Sequence, residues 1–198
     1  MCSNFESSGD IKNLRNYFET QNRPQTSNKR SKRPTDKALI FNIENKVRSL
    51  TWGIPQPWLG ETNARPIINA RMETLAQKKT FRSIINQRCL IPATAWFEWR
   101  RSGGKRIKNR IAVRDKVPFV FAGLANESYF TIITCEAMPE IAHIHKRMPM
   151  VLTPDNVNKW FDIQTPFESM AKSIILQRNF SLVFDEEKPS QIEMFNQL

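Results

Sequence analysis

Arg88-Cys89-Leu90-Ile91-Pro92 and, one residue further on, Thr94-Ala95-Trp96-Phe97-Glu98-Trp99 form the stretch whose reading decides the fold. The first segment is short and apolar and reads as a strand. The second alternates, so that Trp96 and Glu98 share one face while Phe97 and Trp99 share the other. If one face is interior, Glu98 either looks inward beside Trp96 or is exposed to solvent. A carboxylate beside an indole is desolvated, which raises its pKa and suits it to proton transfer near neutrality. Gly103-Gly104 then marks a hairpin turn.

Working outward, Ala38 to Asn42 and Lys46 to Trp52 read as two strands joined by a short turn, and Asn63 to Ala70 as a loop running into a strand. Glu73 to Gln87 reads as one helix, with Leu75, Ala76, Phe81, Ile84 and Ile85 inward and Lys78, Lys79 and Arg82 outward. Phe119 to Leu124, Tyr129 to Cys135, Met150 to Leu152 and Phe180 to Phe184 are further strands. Glu140 to Pro149, which holds His143 and His145, reads as irregular. Thr153-Pro154 opens a helix, with threonine at the N-cap and proline at the first helical position. Phe167, Met170, Ala171, Ile174 and Ile175 mark a last helix at 3.6-residue spacing, and Ile11, Leu14, Tyr17 and Phe18 a short one near the start. Many short strands with few helices predict a single α+β domain over residues 1–198: a bent antiparallel sheet or β-barrel-like core with a few flanking helices.

The chain has 198 residues, 40% of them hydrophobic and 13 of them phenylalanine, so a packed interior is feasible. No apolar run approaches the ~20 residues of a membrane span, and the start lacks a signal-peptide pattern, so an intracellular protein with no membrane partner is expected. Three widely spaced cysteines, Cys2, Cys89 and Cys135, fit a reducing compartment, with the last two in the core. The net charge of +11 points to nucleic acid before anionic membrane. Part of that charge lies in a basic stretch at 21–37, where Arg23, Lys29, Arg30, Lys32, Arg33 and Lys37 are opposed only by Asp36. It reads as a mobile loop, either resting on phosphates or simply solvated. Arg100 to Lys116 is a second positive ribbon, with eight basic residues against Asp115. The end of the chain, from Asp185, is polar and expected to be loose.

The chemistry starts at Met1-Cys2. Removal of Met1 would leave a free α-amine and a thiol on adjacent carbons, a pair that condenses with an aldehyde to an imine and then closes to a thiazolidine. Reference pKa values of ~8 for the amine and ~8.5 for the thiol leave a usable fraction of each nucleophilic. The alternative is an ordinary frayed terminus. Other chemistries find little support: there is no Cys-x-x-Cys or His-Glu-x-x-His for a metal, no Gly-x-Ser-x-Gly elbow, and no phosphate-cradling glycine loop. No metal or cofactor is expected. What remains is Cys2, a carboxylate at Glu98, a histidine at 143 or 145 and a carboxamide at Asn69. Trp58 and Leu59 are either core plugs or a wedge against exposed bases.

Five segments, in order, resemble the SOS-response-associated peptidase family, whose members are abasic-site processing proteins that crosslink to DNA. They are Met1-Cys2; Trp52-Gly53-Ile54-Pro55; Asn69-Ala70-Arg71-Met72-Glu73-Thr74; Cys89 to Ala93 running into Trp96-Phe97-Glu98-Trp99; and Ile144-His145-Lys146-Arg147-Met148-Pro149. The resemblance implies an α+β domain with a β-barrel-like core and a basic channel for single-stranded DNA; separately, a monomer is expected. It implies that mature Cys2 attacks the ring-opened aldehyde of an abasic site, with possible strand-cleaving lyase activity and reversal of the crosslink. Glu98 would handle protons, His145 would help open the sugar and assist reversal, and Asn69 would orient the site around the cysteine amine. Arg71 and Arg147 match positions that hold phosphates flanking the lesion, and Trp58 and Leu59 fall where the family places its wedge. The sequence departs at Ser3 and Asn4, where family members usually continue Gly-Arg. Two other readings stay open: a cysteine peptidase using Cys2 with His145 as base, including self-removal of the first residue, and a single-strand-binding module without chemistry.

Overall fold

The computed structural model describes residues 2–7, 31–44, 46–56, 64–114 and 119–187. Its strands are β1 (Phe5–Ser7), β2 (Ser31–Lys32), β3 (Lys37–Asn42), β4 (Val47–Trp52), β5 (Asn69–Arg71), β6 (Arg88–Ser102), β7 (Lys105–Val113), β8 (Phe119–Ala125), β9 (Tyr129–Glu136), β10 (Arg147–Pro149), β11 (Val151–Leu152) and β12 (Leu182–Glu186). The helices are α1 (Met72–Leu75), α2 (Lys79–Arg82), α3 (Pro154–Phe161) and α4 (Phe167–Leu176). All twelve strands belong to one sheet, in the order β11-β8-β9-β4-β3-β6-β1-β2 along its main path. A further pairing of β8 with β6 closes β6, β8, β9, β4 and β3 into a five-stranded ring. The expected α+β barrel is therefore present. Its sheet is mixed, because β4 and β5 each run parallel to β9.

The two strands read from the opening stretch are one 15-residue strand, β6. Pro92 does not break it. On one edge, Cys89 and Leu90 pair with β3 and Ala93 to Trp96 pair with β1. Pro92 falls between these two partners, where its missing N–H costs no ladder bond on that side. Beyond Trp96 the strand continues into a hairpin with β7, in register from Trp96↔Ile111 to Ser102↔Lys105. Gly103 (φ 55°) and Gly104 (φ 78°) make its two-residue turn in the left-handed region that glycine tolerates.

The ring is filled by aromatic side chains. Phe5 enters from β1 and packs edge-on against Trp52 and Phe121, with centroids 5.1 and 5.7 Å apart. Trp52 in turn stacks on Phe130. β1 lies between β2 and β6, with Phe5 opposite both Lys32 and Trp96. Its register on β6 shifts between Glu6 and Ser7, so that Glu6 pairs with Ala95 and Ser7 with Ala93. Gly123 in β8 is required by close packing. A Cβ there would lie 2.8 Å from the Thr131 carbonyl oxygen and 2.4 Å from Ile91 Cδ1.

Several expectations need correction. Glu73 to Gln87 is not one helix: α1 and α2 are single turns separated by an extended Lys78. Leu75 and Phe81 are both buried, but six residues are about one and two-thirds helical turns. A continuous helix would put them on different sides, and the break lets both face the core. The basic stretch at 21–37 is not a mobile loop over its described part, since Ser31–Lys32 pairs with β1 and Lys37 begins β3. Lys32 is 1% exposed. Asp185 and Glu186 are still in β12, and the irregular segment ends in β10, which pairs with β9. Thr153 occupies the N-cap position of α3 without a side-chain capping bond. The helix expected at Ile11 to Phe18, residues 21–30, Trp58, Leu59, Asn63 and the end from 188 lie outside the described residues. No helix among the described residues is long and apolar enough to cross a membrane.

Candidate active site

Residues 2–4 run ahead of β1 and are placed by it. The Asn4 carbonyl accepts from the Phe97 amide at 3.0 Å, and Asn4 Oδ1 accepts from Ser31 Oγ at 2.7 Å. Asn4, one of the two departures from the family pattern, thus ties the amino-terminal segment to β6 and β2. Cys2 is completely buried, its thiol 3.6 Å from the Asn4 carbonyl oxygen. From β5, Asn69 Nδ2 donates to the Cys2 carbonyl at 2.7 Å, while Asn69 Oδ1 is buried without a hydrogen-bond partner among the described residues.

Glu98 points inward from β6 on the Trp96 face and is 2% exposed. Burial raises its pKa to about 7, against the opposing pull of the positive charge at the amino terminus. Burial also pushes the Cys2 thiol far above its ordinary value, and the Glu98 charge adds to that push. His145 is held below the usual imidazole value by burial and then by the same amino-terminal charge. Its Nδ1 lies 3.0 Å from both the amide nitrogen and the carbonyl oxygen of Arg147. Proton exchange with any other group therefore runs through Nε2.

Asn69 thus touches Cys2 directly, Glu98 acts on the Cys2 thiol by its charge, and Glu98 and His145 both feel the amino-terminal charge. Of the two histidines, His143 is exposed and packs on Phe184. Arg147 starts β10 and forks onto Glu73, with Nη1 and Nη2 each 2.9 Å from a carboxylate oxygen. Its Nη2 also reaches the Thr134 carbonyl at 2.6 Å. Arg71 is exposed at the start of α1 and acts on the same carboxylate. Burial pushes the Glu73 pKa up, but the hydrogen bonds and charge of Arg147, a bond from its own backbone and the charge of Arg71 together leave the carboxyl below its ordinary value. Cys89 and Cys135 are buried, as expected. Among the described residues, no group of three or more His, Cys, Asp or Glu side chains is placed to hold a metal.

One buried polar residue beside the site went unread in the sequence. Asn109 of β7 pairs with Glu98 in register and is fully buried. Counting outward in equal steps from the Gly103-Gly104 turn would have found it.

Known proteins resemble this chain in sequence and in fold. A family model described as SOS response associated peptidase (SRAP) matches residues 1–183. The chain is 34% identical to the abasic site processing protein YoaM of Bacillus subtilis over 144 residues, which cover 67% of this chain and 63% of that protein. It is 38% identical to YoqW of the same organism over 130 residues, covering 60% and 58%. With YedK of Escherichia coli it shares 29% over 139 residues, covering 64% and 61%. The chain thus matches a little under two thirds of the length of these curated relatives. A crystal structure of a Bordetella bronchiseptica protein superposes with a TM-score of 0.78 at 24% identity, covering 95% of this chain and all of that one. One from Bacteroides thetaiotaomicron does so with a TM-score of 0.78 at 21% identity, covering 97% and 94%, and both share the fold. With 183 residues matched and the barrel common to its structural neighbours, the chain belongs to the SOS response associated peptidase (SRAP) family.

Proposed function

We propose that this protein captures abasic sites in single-stranded DNA by a covalent bond through Cys2, once Met1 has been removed. The observation that carries the reading is the burial of Cys2 within electrostatic reach of Glu98, with its carbonyl held by Asn69. An abasic sugar is mostly a closed hemiacetal, so capture begins with proton transfers that open it to the aldehyde, served by His145 and Glu98. The Cys2 amine then adds its lone pair to C1′. A carboxyl with a pKa of about 7 is protonated often enough near neutrality to protonate the departing hydroxyl. Water leaves and the imine forms. The thiol adds to the same carbon and its proton passes to the nitrogen, closing the thiazolidine. One water is lost overall, and no oxidant or metal enters. Strand cleavage follows when the same imine loses a C2′ proton and expels the 3′ phosphate, and running the capture steps backwards with uptake of one water reverses the crosslink. Arg71 and Arg147 serve phosphates on either side of the lesion.

A peptidase mechanism fits the site less well. It needs a thiolate and an imidazolium, whereas burial favours the neutral thiol and the neutral ring.

The test is intact mass after incubation with a single strand carrying one abasic site. The mature protein is expected to gain the mass of the strand less one water, and nothing with intact DNA. Cys2→Ala is expected to give no stable adduct, and an undiminished adduct from that variant would end the reading.

A further inference from the structure

Asn109 stands directly opposite Glu98 in the β6–β7 ladder, and nothing in the proposed chemistry gives it a task. Directly paired residues of antiparallel strands project from one face, with Cβ atoms about 5 Å apart. On that face the next pairs are Trp96 with Ile111 on one side and Arg100 with Ile107 on the other, and Glu186 of β12 stands opposite Asn109 across the sheet with its carboxylate taken by Arg100. Asn109 Nδ2 donates to the Ile107 carbonyl at 3.0 Å. That bond fixes the amide's orientation, because a carbonyl oxygen accepts only from the nitrogen end. The other end, Oδ1, is buried and has no hydrogen-bond partner among the described residues. Such an orphaned acceptor is costly unless something donates to it in another protonation state of the site.

We propose that Asn109 is a positioning residue for Glu98, whose protonated carboxyl donates to Asn109 Oδ1 and is thereby held in place as the acid of the site. The inference rests on the capture chemistry for its use, though not for its geometry. The contact is attractive only in the acid form, because an ionised carboxylate offers lone pairs to an oxygen that offers the same. Asn109 therefore works in the same direction as burial. The other titratable groups that bear on Glu98 are the amino-terminal amine and the Cys2 thiol, while the two charges nearest Asn109 on this face, Glu186 of β12 and Arg100 of β6, are paired with each other. The neighbours of Asn109 along β7 act elsewhere: Lys108 lies over the Phe97 ring and on Glu187, and Arg110 on Glu6.

The experiment is a pH titration of the Glu98 side-chain carboxyl by carbon-13 NMR in the DNA-free protein. Two variants accompany the natural residue. Asn109→Leu matches asparagine in size and is drier. If Asn109 only filled space, leucine would keep the midpoint or raise it. As an acceptor for the acid, its loss lowers the midpoint by about 0.7 pH, the scale of one neutral hydrogen bond. Asn109→Asp puts a second carboxylate in the same place and raises the midpoint. The alkaline limb of adduct formation with abasic single strands moves in the same sense in each variant. A midpoint that stays or rises in Asn109→Leu overturns the proposal. Opposite shifts in the two variants with no adduct from any protein would uphold the pairing and remove the capture chemistry instead.

Discussion

Asn69 reaches from β5 to the carbonyl oxygen of Cys2, 2.7 Å from Nδ2, and so joins two points 67 residues apart in sequence. The bond fixes the peptide that follows the reacting amine. Asn69→Ala removes the donor, and Asn69→Asp replaces it with a charge that repels the carbonyl. Both are expected to slow adduct formation by roughly ten- to a hundredfold, the aspartate more, because small misplacements of a reacting group are expensive. The fold should lose only about 1 kcal/mol. Single-turnover rates on abasic single strands, set beside urea midpoints, separate the two effects.

Glu98 gives folding stability a pH dependence of definite sign. Its pKa is raised from 4.5 to about 7 in the folded protein. Between those values the folded state binds more protons than the unfolded one. Stability from this group is therefore complete below about pH 4.5, falls as pH rises through that window, and levels off above 7, a loss on the order of 3 kcal/mol. Glu98→Gln is expected to flatten this slope and to be more stable than the parent at pH 8, while forming adduct far more slowly. Urea denaturation at pH 5 and pH 8 measures the slope directly.

Arg147 is bound to Glu73 through both nitrogens of its fork. A phosphate that uses this guanidinium has to displace the carboxylate. Glu73→Gln weakens the competing partner, so affinity for ordinary single strands is expected to rise several-fold. The salt dependence should steepen by about one counterion. A fluorescence titration across salt concentrations reads both, and an unchanged slope would show that Arg147 stays out of the DNA contact.

Arg88, at the start of β6, is 1% exposed and donates from Nη1 to the carbonyls of Trp160 and Asp162 at the end of α3. Its guanidinium also lies over the rings of Trp160 and Phe167. Arg88→Met keeps much of the volume but leaves two carbonyls without their donor. The expected cost is about 3 kcal/mol, read as a lower urea midpoint, with adduct formation per folded molecule unchanged.

The parts of the fold that could be read in the sequence are those set by near neighbours. The Gly103-Gly104 turn, the β3–β4 pair and α4 each carry their signal within a dozen residues. The break at Lys78 was missed because its apolar positions imitate a helical stripe, and only the core decides that both Leu75 and Phe81 turn inward. The parallel pairing of β4 and β5 with β9 joins segments some 60 to 80 residues apart and leaves no local mark. The site divides in the same way. That Glu98 shares a face with Trp96 follows from alternation, while its burial on that face was left open by the sequence. That Glu98 faces Cys2 does not follow from spacing, since their meeting depends on Phe5 docking into the ring. Resemblance to a family supplied that link in advance, and it also chose His145 over His143. Asn109 fell outside both routes, because it belongs to none of the shared motifs and its register becomes visible only when the hairpin is counted out.

The register shift between Glu6 and Ser7 separates two parts of the amino-terminal arm with opposite tolerance for added residues. Extra length after Ser7 lies beyond the contacts that seat Phe5 between Trp52 and Phe121. A single insertion between Cys2 and Phe5 would instead shift the cysteine relative to the Asn69 amide that holds its carbonyl, because Phe5 stays anchored. Length variation in nature, or loops grafted by engineers, should therefore collect beyond Ser7 and be absent before Phe5.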